Sequence, residues 1–484
     1  MTKQIPPNEM TDESRRRFLT SSAAGLFTAA IVQSEAVPPR SGTSGRRILI
    51  RGGIVLSMDR NVGDFEKADV LIDGKKIAAV GSNLKAAAEI VDATDRIVMP
   101  GFIDTHHHQY QSVLRGLIAD ALLQEEYYRV INNPGALNAF YQPDDAYIGE
   151  LLSSVSQMRA GVTTSVDLSQ VSHSSEHSDA CIAGLKESGR RTVFGYSAGQ
   201  GAANRYPQDV VRLRSQYFSS DDQLLTLALH TGIDAKLWQA GREAGVPIVS
   251  HASNAEAAAQ LIGLGRAGLM RSDNEYIHCT HFPAALWEQV RDTGGQVSIA
   301  PAVEMQEGHG VPPFQAALGH GIRPSLSSDV ETSMTCDPFT IMRTAFTLQR
   351  MLINDRRYNG EKNLPAWLTC RDVLEMATIE GARVAHLDHK VGSLTPGKEA
   401  DILLLRTDDI NVFPMNNAPG AVVTLMDTSN VDTVFIAGKI MMWKGRLVGV
   451  DLKRLRRLAE RARDGILSRA KYQPNFLNTC CPRT

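Results

Sequence analysis

Cysteine is scarce in this chain: six residues in 484, none in a CxxC pair, with Cys480 and Cys481 adjacent near the end. That excludes a disulfide-stapled scaffold and argues against a zinc site built from thiolates. An excess of either charge is also missing, since 51 Lys and Arg face 53 Asp and Glu for a net charge of −2. Such a balance leaves no electrostatic footprint for nucleic acid or an anionic membrane surface, so neither is expected as a partner. No apolar run reaches the ~20 residues of a bilayer-spanning helix, which removes a stable membrane anchor. No P-loop occurs, and no dinucleotide fingerprint opens a helix after a strand. What remains is an ordinary globular composition, 43% hydrophobic and 21% charged. It is long enough for a barrel of ~250 residues with a smaller companion.

The first residues read as a targeting segment. Ser14-Arg15-Arg16-Arg17-Phe18-Leu19-Thr20, followed by the mildly apolar run Ala23–Val32, resembles a twin-arginine export signal. Ser34-Glu35-Ala36 offers a small-x-small cleavage site. Residues 1–36 are therefore expected to be a removable leader on a periplasmic or secreted protein. The plainer alternative is a basic leader with no address.

Short strands with period-2 alternation are expected at Ile48–Met58, Ala68–Ile72 and Ile77–Val80, with Asp73-Gly74 as a hairpin turn. The same texture returns at Ala400–Leu405, Val431–Ala437, Lys439–Trp443 and Arg446–Val450. Segments 47–96 and 397–450 are thus expected to pair into one small β-sandwich built from both chain ends, with 451–484 as a C-terminal helix (Leu452–Tyr472) and tail. Between them, residues 97–396 alternate strand and helix. Eight strands are expected: Ile97–His108, Val162–Leu168, Arg191–Ser197, Leu225–His230, Pro247–His251, Glu275–Cys279, Gln296–Pro301 and Ile322–Asp329. Eight βα units fit an α/β fold of the (β/α)8 TIM-barrel type.

The residues with chemistry lie at the ends of those strands. Residues i and i+2 of a strand face one side, so His106 and His108 converge while His107 points away. Two imidazoles at a barrel mouth are what a divalent metal needs. His251, His278 and Asp329 end later strands at spacings of about one and two βα units. Each alone is more often a satisfied structural residue. Together they recur at the site-bearing end of strands one, five, six and eight.

Several pieces resemble the amidohydrolase superfamily, in particular the branch with cytosine, guanine and 8-oxoguanine deaminases and the triazine hydrolases. They are Met99-Pro100-Gly101-Phe102-Ile103-Asp104-Thr105-His106-His107-His108 with its continuation Tyr110-Gln111-Ser112-Val113-Leu114-Arg115-Gly116, then Ala160-Gly161-Val162-Thr163-Thr164, and Gly392-Ser393-Leu394-Thr395-Pro396-Gly397-Lys398-Glu399-Ala400-Asp401. The resemblance runs from Arg47 to about Val450. It implies a metal-dependent hydrolase of non-peptide C–N bonds in a small cyclic, N-heterocyclic substrate, with deamination the leading reaction. It also implies that His106, His108 and His251 are metal ligands and Asp329 a fourth ligand that takes the proton of water. His278 then contacts the developing oxyanion. Bimetallic relatives carry a bridging lysine where strand four here ends in His230, so one divalent ion is implied. Zinc suits three imidazoles and a carboxylate; ferrous iron is the alternative. Self-association is left open.

One departure bears on the reaction. Deaminases of this branch place a proton-shuttling glutamate three residues after the strand-five histidine, and Asn254 stands there. An amide cannot titrate. Glu256 reads as part of a capping box that opens at Ser253. Glu304, just beyond strand seven, could supply the shuttle, bind substrate or face solvent. Tyr110, Gln111, His173, His177 and His230 are candidates for the substrate-binding wall. Two rival readings stand beside deamination. One is hydrolysis of a cyclic amide or imide. The other is a non-catalytic relative, against which the retention of all five site positions counts.

Overall fold

The computed structural model describes residues 46–477. The leader read over residues 1–36, and the end of the tail with Cys480 and Cys481, lie outside the described residues. The N-terminal strands are β1 (Arg47–Val55), β2 (Phe65–Asp73), β3 (Lys76–Gly81), β4 (Glu89–Asp92) and β5 (Arg96–Pro100). Asp73 pairs with Lys76 across the expected turn, where Gly74 takes φ 59°. The single strand expected over Ile97–His108 is two strands in two sheets. β5 stays with the N-terminal sheet, and β6 (Phe102–His107) begins the barrel. Gly101 lies between them, and a Cβ there would come within 2.0 Å of Thr163 Oγ1. Only glycine lets the chain cross that closely from one sheet to the other.

The barrel continues with β7 (Val162–Ser169), β8 (Arg191–Tyr196), β9 (Leu225–His230), β10 (Ile248–His251), β11 (Asn274–Ile277), β12 (Gln296–Ile299) and β13 (Ser325–Leu326). They pair in sequence order, every pair parallel. Inward-facing Ile103, Val166, Val193, Ala228, Val249 and Ile277 fill the interior, plugged below by Ala382, Ala385, Leu387 and Val391. β13 is two residues long where eight were expected, because the chain turns into loop at Ser327. Closure is completed beyond it, by a parallel bridge between His107 and Asp329.

After the barrel come β14 (Ile402–Arg406), β15 (Val431–Ile436), β16 (Lys439–Trp443) and β17 (Arg446–Leu447). β14 runs antiparallel to β5, Ile402 opposite Pro100 and Leu404 opposite Val98. The two chain ends therefore form one hydrogen-bonded sheet of nine strands. Its core includes Ile48, Val70, Val98, Ile402 and Phe435. The helix Leu452–Arg469, capped by Asp451, buries Leu455 against Leu151 and Val155 of the helix Pro143–Arg159. Among the described residues no helix is long and apolar enough to cross a membrane.

Candidate active site

The site is built on the seam that closes the barrel. Asp329 N–H donates to the His106 carbonyl at 2.9 Å, and His108 N–H donates to the Asp329 carbonyl at 2.8 Å. Backbone bonds thus bring the end of β6 and the segment after β13 to the point where their side chains meet. His106 Nε2 lies 3.0 Å from Asp329 Oδ1, and His108 Nε2 lies 3.6 Å from the same oxygen. His251, the last residue of β10, has its ring centroid 4.8 Å from that of His106. His278 follows β11 directly at φ 71°, and Asp329 sits at φ 64°. Left-handed backbone at residues other than glycine costs on the order of 1 kcal/mol each. Such strain clusters where side-chain direction matters more than stability. His107 points outward as expected, its Nε2 3.0 Å from Ser153 Oγ and 3.3 Å from Glu331 Oε1.

Second partners fix the rings. His108 Nδ1 donates to the Leu168 carbonyl at 2.9 Å, leaving Nε2 with its lone pair toward Asp329. His251 Nδ1 meets His230 Nε2 at 2.8 Å, and His230 Nδ1 meets Ser197 Oγ at 2.8 Å. His278 Nδ1 meets Glu304 Oε1 at 3.0 Å, and the Ala300 N–H donates to that same oxygen at 2.9 Å.

Burial pushes the His106 imidazole below its ordinary value, and His108 and His251 well below, with His106 adding to the effect on both. Burial likewise brings His230 down to about 3. Their neutral forms keep lone pairs available. Burial alone would raise the Asp329 carboxyl, but His106, His278 and His108 outweigh it and hold it well below the usual carboxylate range. Burial disfavours the charged form of His278; the Glu304 bond and the Asp329 charge win, so its value rises.

A cavity of about 250 Å³ opens above this cluster, lined by His108, His230, His251, His278 and Asp329. Of the residues expected on the substrate wall, only His230 lines it. Gln111 and Tyr110 lie behind it: Gln111 Nε2 donates to the hydroxyls of Tyr127 and Tyr110 at 2.7 and 3.1 Å. His173 and His177 are spent on the backbone carbonyls of Asn138 and Tyr141. Glu304 is fully buried and reaches the site only through His278. Asn254 is the N-cap of Ala255–Arg266, accepting from the Ala257 N–H at 2.8 Å, so the cap falls one residue later than expected. Glu256 is exposed. The wall residues missed in the sequence include Tyr127, Tyr128, Asn132, Gln170, Glu307 and His309. Most follow irregular segments where no periodicity marks a face. Glu307 and His309 were in view, three and five residues past Glu304.

The donors fit a divalent metal. Candidate ligand atoms of His106, His108 and His251 lie within 4.8 Å of one another, as do those of His106, His278 and Asp329. The 3.0 and 3.6 Å separations from Asp329 Oδ1 bracket the ~3.3 Å edge of a tetrahedron with ~2.0 Å bonds.

A family described as the amidohydrolase family matches residues 97–441. The chain belongs to the amidohydrolase family. Among similar proteins, a 5'-deoxyadenosine deaminase of Methanosarcina mazei is 27% identical, covering 87% of this chain and 99% of its own. A 5-methylthioadenosine/S-adenosylhomocysteine deaminase of Syntrophus aciditrophicus is 28% identical over 86% and 98%. The fold of this amidohydrolase matches that of an adenosine deaminase from Xanthomonas campestris with bound zinc, at TM-score 0.78 and 22% identity, over 88% and 100% of the two chains. It also matches a variant of the atrazine chlorohydrolase from Arthrobacter aurescens, at TM-score 0.75 and 21% identity, over 86% and 100%.

Proposed function

We propose that this amidohydrolase is a metal-dependent aminohydrolase that exchanges the amino group of a small, uncharged N-heterocycle for oxygen. The observation that carries the reading is the convergence of His106, His108, His251 and Asp329 beneath a cavity of about 250 Å³ that, among the described residues, has no Lys or Arg on its wall. That volume suits a substituted purine or pyrimidine, and beyond the ion itself and His278 an anionic substrate would meet no cation among the described residues. The deaminase names of the similar proteins make 5'-deoxyadenosine a first substrate to try. Zinc is our choice of ion, on the strength of three imidazoles and one carboxylate.

Water adds to the amine-bearing ring carbon; the C–O bond forms, the C–N bond breaks, and ammonia leaves. One water proton departs with the ammonia, and the other stays on the product oxygen or ring nitrogen. A bound ion supplies Lewis acidity that brings the acidity of water toward neutral pH. Asp329, held ionised, accepts a proton from that water. His278 donates to the oxygen as negative charge develops, and Glu304 is the positioning residue that holds its ring. Beside Asp329, which takes the water proton, Glu307 is the other carboxylate on the cavity wall among the described residues, and we assign it the shuttle role that Asn254 cannot fill. The absence of a titratable group at Asn254 is also what favours the second reading, hydrolysis of a cyclic amide, which needs less help for its leaving group.

Metal analysis followed by a screen of aminopurines, aminopyrimidines, aminotriazines and cyclic amides tests both. Ammonia with an oxo product supports the first reading. A ring-opened acid without ammonia supports the second, and neither product from fully loaded protein overturns both. We further propose, from Arg15 and Arg16, that the protein is exported in folded form.

A further inference from the structure

One wall of the cavity is held by side-chain amides in series. Gln200 Nε2 donates to the Asn133 backbone oxygen at 3.3 Å and to Asn138 Oδ1 at 3.1 Å. Asn138 Nδ2 donates to Asn132 Oδ1 at 2.7 Å, and Asn132 Nδ2 donates to Gln170 Oε1 at 2.9 Å. A backbone carbonyl only accepts, so the contact with Asn133 fixes Gln200 as the donor and sets the direction of every amide after it. His173 clamps the far end. Its Nδ1 accepts from the Gln200 N–H at 2.9 Å while its Nε2 donates to the Asn138 carbonyl at 2.9 Å, and one neutral tautomer satisfies both.

The series ends at the cavity. Gln170 Oε1 takes Asn132 Nδ2 and, at 3.5 Å, the Tyr110 hydroxyl. Gln170 Nε2 has no partner among the described residues, and Gln170 lines the cavity with His108 and Asp329. A flipped Gln170 would set its nitrogen against Asn132 Nδ2, donor against donor. Gln170 is therefore committed to offering the cavity an N–H and not an oxygen.

We infer that Gln170 is a substrate-binding residue whose Nε2 donates to an acceptor on an uncharged ring, either a carbonyl oxygen or an unprotonated ring nitrogen. It thereby decides which heterocycles are accepted. This rests on the aminohydrolase reading above. A site built to donate to a substrate rejects the analogue lacking the acceptor, because its own donor is then left unpaired in a confined space. The amides of Gln200, Asn138 and Asn132 act through Gln170 and are positioning residues.

The test is a cycle between enzyme and substrate. Zinc-loaded wild type and Gln170→Leu are assayed for kcat and KM of ammonia release on 5'-deoxyadenosine and cytosine. Each is paired with analogues in which one ring nitrogen is replaced by CH, or the ring carbonyl is removed. Bound zinc and thermal melting are recorded for both proteins. Wild type should lose about tenfold or more in kcat/KM on one acceptor-deleted analogue. Gln170→Leu should erase most of that penalty, chiefly through KM, with bound zinc unchanged. Gln200→Ala, remote from the cavity, should weaken the same discrimination and leave zinc in place; it serves if the Leu variant folds poorly. A wild type that turns over the parents without penalty on any analogue overturns the inference alone. So does an undiminished penalty in Gln170→Leu and Gln200→Ala. A wild type that releases ammonia from no parent compound overturns the aminohydrolase reading and this inference with it.

Discussion

Asp329 has two tasks that a single substitution separates. Its backbone closes the barrel against His106 and His108, and its carboxylate lies among their rings. Asp329→Asn leaves the backbone bonds intact and removes the proton acceptor. Turnover should fall on the order of 10²-fold or more while most of the metal stays; unchanged turnover would move the base elsewhere. The two glutamates past β12 divide differently. Glu304→Gln keeps a hydrogen bond to His278, so kcat should drop about tenfold. Glu307→Gln removes the second carboxylate of the cavity wall, beside Asp329, and should cost about 10²–10³-fold, with KM little changed. The reverse ranking would return the shuttle to Glu304. The two roles were not separable in the sequence, where both appear as carboxylates after one strand. Glu304 bonds to His278 and the Ala300 N–H because it lies in the first turn of Pro301–Gln306. That placement is set by packing that no spacing reveals.

At the level of elements, the short β13 makes the site depend on what ties its loop down. Glu331 does this: it bonds Arg115, accepts from Ser153 Oγ at 2.7 Å and meets His107 Nε2 at 3.3 Å, joining that loop to β6 and to the helix Pro143–Arg159. Burial would raise its carboxyl, but Arg115 and His107 outweigh it and hold it well below the ordinary ~4.3. A carboxyl depressed in the folded state stabilises above its unfolded pKa, and that stability is lost as pH falls through and below it. Glu331→Gln should therefore cost about 2–4 kcal/mol at pH 7 in urea denaturation, and the gap to wild type should narrow as pH drops below ~4. A gap that ignores pH would contradict this. Strand identity was legible where alternation or apolar runs were clean, as in β9, β10 and β16. It failed at Ile97–His108, where one apolar run feeds two sheets and Gly101 is the only mark of the crossing. It failed again at Ile322–Asp329, where a strand-like run gives way to loop at Ser327.

Across the whole molecule, the barrel and the sheet joined from both chain ends were readable because each repeats a simple pattern of period and spacing. The cavity wall was not, since its rings and amides come from segments between Gln109 and Phe140 and from single loop residues such as Gln170. The export proposed from Arg15 and Arg16 is tested on the full chain. Replacing Arg15 and Arg16 by Lys should hold the protein in the cytoplasm with its leader uncut, and periplasmic accumulation of that variant would refute the twin-arginine reading. The central claim is that His106, His108, His251 and Asp329 hold an ion on which amine release depends. The most direct measurement strips the metal with a chelator, returns zinc in steps, and follows ammonia release from an amino-heterocycle against bound zinc. The account predicts a rise in proportion to occupancy that saturates at about one equivalent per chain, and no rise in His106→Ala. Full activity in the stripped protein, or saturation with zinc without any ammonia, would contradict it.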